Sequence, residues 1–426
     1  EEEEGEEEAG ILLSERVRAK KQVQFFGDTW VYSLAKGSWT EVEVANGDKT
    51  PVSRWKPSSC TFDDGAGMAL FGGCHGTKIR GVLNDLWVLR LKSPGKGEWE
   101  QIHTANPPLP RRGHITVASD THLVVAGGKG WTRAHGTKVM TDLWILPLSA
   151  LRGGKRDHWV QGTPFPGKPR WGSTGDLMHM PDGRQVIAFF GGRNKNPHAK
   201  FHSAADGAYT YYNDLYFYEF GRDRWELVEP KGKEIPCPRD HHAAATFGED
   251  LYVFGGRTAE KAARSSTRSD LWSFSTKTMR WTLHPDGKGA APVPRFMPGL
   301  TLRSNGDSVR AVVFAGQTLP GSTKRTSLND VWAYDVGSDS SRPWKELFKS
   351  DCSEEATGLA LGGEEEEVSQ LRVLLLSLVA LVMLGVPFGM TVKALRTPRS
   401  ATGAASLLDG DLFEEPWQST GYAELG

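Results

Sequence analysis

The sequence predicts an all-β fold, a six-bladed β-propeller, followed by one transmembrane α-helix and a disordered tail. Three observations carry this. An aspartate followed by an aromatic strand recurs six times, as GDTWVY (27–32), NDLWVL (84–89), TDLWIL (141–146), NDLYFY (213–218), SDLWSF (269–274) and NDVWAY (329–334). Apolar residues ending in a glycine pair precede most of these motifs: Gly72-Gly73, Gly127-Gly128, Gly191-Gly192 and Gly255-Gly256, with a degraded Ala315-Gly316 last. Residues 373–392 form a stretch of 20 without a charge.

The repeat has a fixed internal order. The motif aromatics Trp30, Trp87, Trp144, Tyr216, Trp272 and Trp332 are spaced by 57, 57, 72, 56 and 60 residues. A second tryptophan follows each: Trp39, Trp99, Trp159, Trp225, Trp281 and Trp344. An arginine, usually after proline, opens five of the units: Arg54, Arg111, Arg170, Arg239 and Arg295. A period near 50 residues with several short strands per unit indicates a propeller. On these landmarks, residues 22–347 resemble the kelch repeat family, whose scaffold hosts unrelated functions.

Each element has a physical reading. The first ten residues hold EEEEGEEE (1–8), a solvated, disordered run. The propeller spans 11–363. Its first blade lacks a strand one, because KQVQFFGDTWVYSL (21–34) joins strand two almost directly to strand three. Either ILLSERV (11–17) or TGLALGG (357–363) could supply the missing strand and remove an exposed edge. Each glycine pair lets the backbone turn where a Cβ would clash. Each motif aspartate suits an Asx-type turn, and the tryptophans suit packing between blades. Four cysteines, Cys60, Cys74, Cys237 and Cys352, leave pairing open, with a Cys60–Cys74 bridge conceivable between neighbouring strands.

Residues 364–372 form an acidic juxtamembrane linker. The uncharged span of 373–392 would reach about 30 Å as a helix, the thickness of a bilayer core. Lys393, Arg396 and Arg399 follow it and Arg372 alone immediately precedes it, which places residues 393–426 in the cytosol and the propeller in a lumen or outside. No signal peptide is visible, and the chain starts with Glu1, as a processed protein or a fragment would. No asparagine begins an N-x-S/T sequon, so a cytosolic propeller stays open as an alternative. In the tail, YAEL (Tyr422 to Leu425) resembles a tyrosine-based sorting signal.

No catalytic residue, metal site or cofactor is expected. Copper-radical oxidases of the kelch type need a cysteine-linked tyrosine, whereas Tyr209, Tyr211 and Tyr212 have no cysteine near in sequence. The Glu-x3-Asp-x3-His spacing of kelch-type specifier proteins is absent. His198 and His202 sit in a polar loop, and Asp240-His241-His242 lacks a placed nucleophile. There is no P-loop, no G-x-S-x-G and no zinc-type cysteine pair.

Charge placement is the remaining signal. The five loops between glycine pair and Asp-aromatic turn carry +12 in a chain of net −1. Strand antiparallelism puts these loops on the face that holds the strand-one arginines. The expected partner-binding residues are Arg54, Lys56, Arg111, Arg112, Lys129, Arg170, Arg193, Arg239, His241, Arg257 and Arg295. Kelch propellers typically bind proteins through this face, so the resemblance implies a non-catalytic interaction module with a protein partner of acidic character. A propeller enzyme (an oxidase or sugar-processing enzyme) and a cytosolic scaffold on an organelle membrane are the alternatives. Nucleic acid is not an expected partner.

Overall fold

The computed structural model describes residues 26–349 apart from 45–48, 77–80, 133–135, 154–157, 197–208, 260–264, 306–307, 319–325 and 338–340. These residues form antiparallel sheets joined by turns and short 3-10 segments. Five sheets carry the repeat as four strands in chain order, and each is named here by its arginine. The Arg54 blade contains Ser58–Phe62, Gly67–Cys74, Val82–Ser93 and Lys96–Ile102, with Glu43–Val44 added in parallel to its outer edge. The Arg111 blade contains Ile115–Ala118, His122–Ala126, Leu143–Pro147 and Val160–Gly162. The Arg170 blade runs from Thr174–His179 to Arg224–Val228, the Arg239 blade from Ala243–Phe247 to Arg280–His284, and the Arg295 blade from Gly299–Asn305 to Trp344–Phe348. At the position of the first repeat, the described residues give two strands, Trp30–Ser33 and Ser38–Glu41.

The glycine pairs behave as their sequence suggests. Gly72 and Gly73 have φ of +61° and +96°, and a Cβ on Gly73 would lie 2.9 Å from the Pro57 nitrogen. The register of strands two and three slips at this point in the Arg54, Arg239 and Arg295 blades, between Phe71 and Gly73, Phe254 and Gly256, and Phe314 and Gly316. That bulge turns the end of strand two towards the axis.

Four of the contacts between blades share one form. The phenylalanine before the glycine pair of one blade meets the strand-four tryptophan of the next. Phe71 and Trp159 lie 5.7 Å apart between ring centroids, Phe190 and Trp281 5.1 Å, Phe254 and Trp344 5.6 Å, and Phe314 and Trp39 6.1 Å. The last pair sets the two-stranded Trp30 sheet against the Arg295 blade, so the beginning of the described chain packs on its end. Offset and edge-on aromatic contacts of this kind stabilise beyond the area they bury.

A second device ties the blades at the axis. The second residue after each arginine is left-handed: Lys56, Gly113, Gly172, His241 and Met297 have φ of 52°, 59°, 69°, 50° and 55°. Its N–H donates to the same position of the preceding blade. The bonds are Gly113 to Lys56 (3.2 Å), Gly172 to Gly113 (3.0 Å), His241 to Gly172 (2.8 Å) and Met297 to His241 (2.7 Å). Four backbone hydrogen bonds therefore run from blade to blade around the axis.

Cys60, Cys74 and Cys237 are free thiols. The conceivable Cys60–Cys74 bridge does not form, because Cys60 registers with Ala69 while Cys74 pairs with Trp55 and Val82 near the other end of the strand. No helix among the described residues is long and apolar enough to cross a membrane. The span 373–392, the acidic runs at 1–8 and 364–367 and the Tyr422 motif all lie outside the described residues.

Candidate functional site: a basic, aromatic channel mouth

The expected binding residues separate into two groups that do different work. The first is the five strand-one arginines. Arg111, Arg239 and Arg295 are fully buried and Arg54 and Arg170 nearly so. Each guanidinium makes the same contacts. In the Arg239 blade Nε donates to Cys237 O (3.0 Å), and Nη1 donates to Gly255 O (2.9 Å) and Asp270 Oδ1 (2.8 Å). Nη2 donates to Asp270 Oδ2 (2.8 Å). Arg54 pairs in the same way with Asp85, Arg111 with Asp142, Arg170 with Asp214 and Arg295 with Asp330. The motif indole donates to the same carboxylate, as Trp272 Nε1 does to Asp270 Oδ2 at 2.7 Å.

The motif aspartate is thus less an Asx-turn residue than the acceptor of a buried arginine and an indole. The five arginines tie strand one to the end of strand two and the start of strand three of their own blade. The bidentate geometry uses the planar fork that lysine lacks. Burial alone would raise the Asp142 and Asp270 carboxyls, and their arginines more than offset it, holding both below the usual carboxylate range. The five guanidiniums are taken up by their own blade's aspartate and carbonyls rather than offered to a partner.

The second group surrounds the axis. In every blade the residue after the arginine pairs with the residue after the glycine pair: Trp55 with Cys74, Arg112 with Lys129, Trp171 with Arg193, Asp240 with Arg257 and Phe296 with Gln317. This brings Lys56, Arg112, Lys129, Arg193, His241 and Arg257 together at the mouth of the channel. They alternate with aromatic rings. Lys56 and Arg112 lie over Trp55 at 4.9 and 4.5 Å, Lys129 over Trp171 at 4.8 Å, and Arg257 over Phe296 at 4.7 Å. Arg193 sits between Trp171 (5.2 Å) and Tyr209 (3.8 Å).

Asp240 is the carboxylate at the centre of this cluster and is fully buried. It takes Arg193 Nε at 3.0 Å and Arg257 Nη2 at 3.0 Å, and it meets His241 Nδ1. Burial opposes its charge, and Arg257, His241 and Arg193 overcome that and hold its pKa far below normal. Burial pushes His241 down to about 3 despite Asp240, so the imidazole is neutral. With its Nδ1 proton on Asp240, its Nε2 has no hydrogen-bond partner among the described residues. The same holds for Arg112 Nη1, on a side chain 4% exposed.

Sequence reasoning found the cations of this mouth but missed its rings. Trp55, Trp171 and Phe296 each follow a strand-one arginine, and that constant offset was the available signal. Arg112, Asp240 and these three rings occupy one repeat position across five blades. Among the described residues, no group of three His, Cys, Asp or Glu side chains gathers as a metal site. His198 and His202 lie outside them.

Comparison with known proteins decides what this architecture is. A profile of the KLHDC2/KLHL20/DRC7 Kelch-repeats domain matches residues 17–205 and 184–357. The chain belongs to the kelch-repeat family. It is 26% identical over 298 residues to Kelch domain-containing protein 2 of Bos taurus, covering 64% of each chain. It is 26% identical over 262 residues to the leucine-zipper-like transcriptional regulator 1 homolog of Drosophila melanogaster, covering 59% of this chain and 23% of that one. A match of 32% over 127 residues to N-(sulfonatooxy)prop-2-enimidothioate sulfolyase of Thlaspi arvense covers 30% of this chain and 32% of the other. The chain spans between about a quarter and two thirds of the length of the first of these relatives.

Proposed function

We propose that this kelch protein is a non-catalytic interaction module whose channel mouth receives an acidic group of a protein partner, and that residues 373–392 tie it to a membrane. The observation that carries the binding reading is Arg112. Its guanidinium is nearly buried over Trp55 beside Lys129, and its Nη1 makes no hydrogen bond among the described residues. A buried cation without full hydrogen bonding costs stability, and an inserted carboxylate would offset that cost through charge-assisted bonds. The depth of the cations favours an acidic end or side chain that inserts over a charged surface lying flat across the face. The rings supply apolar walls that strengthen such a contact by excluding water.

The test is binding of a poly-glutamate peptide to the full-length protein and to Arg112→Gln and Lys129→Gln, at low and physiological salt. Neutralising Arg112 is cleaner than reversing Arg193 or Arg257, since those two hold Asp240 in place. Each substitution should weaken binding about tenfold, equivalent to ~1.4 kcal/mol. Salt should weaken the wild type most, because charges at the mouth are screened over about 8 Å. Equal affinities with no salt dependence would remove the acidic partner and leave the scaffold. The membrane reading has its own check. In sealed vesicles, the tail of 393–426 should be cut by added protease while the propeller survives. Loss of the propeller instead would place it on the cytosolic side.

A further inference from the structure

Each blade packs on the next across a cleft, and two of these clefts match residue by residue. In the Arg54–Arg111 cleft, Ala69, Phe71, Leu86 and Val88 meet Leu123, Val125 and Trp159. In the Arg170–Arg239 cleft the same positions are Ala188, Phe190, Leu215 and Phe217 against Leu251, Val253 and Trp281. The clefts differ in what the second blade adds between its strands three and four. Trp144 and Trp159 of the Arg111 blade are 15 residues apart, whereas Trp272 and Trp281 of the Arg239 blade are 9 apart.

In the longer connection, Leu148–Arg152 forms a 3-10 segment that fills its cleft. Leu148, Ala150 and Leu151 are buried in the core shared with the Arg54 blade. The carbonyl end of the segment is held by Arg90, whose Nη2 donates to Leu151 O. Arg152 Nε donates at 2.9 Å to Oδ2 of Asp63, which lies between strands one and two of the Arg54 blade.

The Arg239 blade turns back at once, with Met279 N donating to Ser275 O at 2.8 Å. A hollow of about 430 Å³, open to solvent, remains where the 3-10 segment would lie. Met180, Val186, Phe217, Val228 and Met279 give it apolar walls. Glu219, three residues past Tyr216, stands where Arg90 stands three residues past Trp87. Its side chain is 10% exposed and accepts from Arg184 Nη1 and Arg224 Nε, both at 3.3 Å. These two arginines also line the hollow, and their side chains are 37% and 53% exposed. The site is separate from the channel mouth. Val186 and the Gly191-Gly192 pair lie at opposite ends of the strand Gln185–Phe190, and the glycines are at the mouth end.

We propose that this hollow is a second docking site, which takes one helical turn of a protein partner with the pattern apolar-x-small-apolar. The molecule's own Leu148-Ser149-Ala150-Leu151 shows what fits, because it occupies the equivalent space on an equivalent wall. The two apolar side chains of the guest enter between Met180 and Met279, whose flexible, unbranched chains adapt to an irregular guest. The small residue lets the backbone of the turn come close, as Ala150 does. The last carbonyls of a helical turn lack internal donors. Arg184 and Arg224 meet them here, as Arg90 meets Leu151 O. A second copy of this chain cannot supply the guest from the same segment, since its own Leu148 and Leu151 are buried.

The experiment uses the full-length protein with labelled methionine methyl groups observed by NMR. Met180→Leu and Met279→Leu assign the two signals. The probe is the capped peptide PLSALRG, the sequence of residues 147–153. It should move the Met180 and Met279 signals and leave those of Met68 and Met140, which are buried elsewhere, in place. A peptide with serine for both leucines should move none. Glu226 also lines the hollow and is exposed, so Glu226→Trp should obstruct it and weaken binding about tenfold, while Arg224→Gln should weaken it about threefold. Signals that stay put, or that move equally with the serine peptide, would overturn the proposal. So would affinities unchanged in both variants. Signals that move on dilution of the protein alone would assign the hollow to a second copy of the chain and also overturn it.

Discussion

Arg239→Met should cost about 3–5 kcal/mol of unfolding free energy, the range for breaking a buried ion pair by removing one partner. The methylene stem is kept, so the loss reports the guanidinium rather than its volume. Five acceptors lose the arginine at once: Cys237 O and Sγ, Gly255 O and both oxygens of Asp270, of which Oδ2 keeps the Trp272 indole. Strand one is then no longer pinned to strands two and three. Asp28→Asn makes the natural control. Its carboxyl is raised by burial rather than lowered by a cation. The signs differ accordingly. Stability from Asp270 is present above the ordinary carboxylate pKa and is lost as pH falls through its lowered folded value. Stability at Asp28 is greatest in acid and declines as pH rises through its raised value. Urea unfolding at pH 7 should show Arg239→Met strongly destabilised and Asp28→Asn unchanged or stabilised. Equal losses in both would show that the arginine pin has no special weight.

Asp240→Ala should also cost about 3–5 kcal/mol, for a different reason. It leaves Arg193 and Arg257 buried with their shared carboxylate gone, so the penalty is stranded positive charge. Like charges would then face each other over Trp171 and Phe296. The expected signature is partial rescue by anions. Adding phosphate or sulfate should recover more stability in Asp240→Ala than in wild type, compared at matched ionic strength with chloride. A variant as stable as wild type, or one that gains nothing from the divalent anion, would show that Asp240 does not neutralise this mouth.

The repeat itself was legible in the sequence because its residues obey constraints that show one blade at a time. A glycine needed at positive φ, an aromatic beside an aspartate and a tryptophan in strand four each recur at fixed order. What the sequence reading missed was pairing. Arg54, Arg111 and Arg239 each precede their aspartate by 31 residues, and Arg295 precedes Asp330 by 35. A conserved offset between opposite charges within one chain signals an ion pair, yet proline-flanked arginines beside cationic loops looked like surface. Strand direction alone sets the cations that follow the glycine pairs on the face of the strand-one arginines. Their depth and the rings between them depend on side-chain packing across several blades, which no local pattern encodes. The expected closing strand stayed ambiguous for the same reason.

The arginine pin has a consequence for how such a protein diversifies. In the Arg170 blade the arginine and aspartate are 44 residues apart rather than 31, yet the guanidinium makes the same contacts. Eight of the 13 added residues fall between the glycine pair and the aspartate, and the pin closes over them. Lengthening an already closed loop costs little, about 0.6 kcal/mol per doubling. Each blade therefore behaves as a fixture with an interchangeable head. A rim loop can be lengthened, shortened or rewritten in composition while the strand ends that carry it keep their places. Rim-loop sequence and the arginine pins are in this way written on separate residues, and a change in a rim loop need not renegotiate the scaffold.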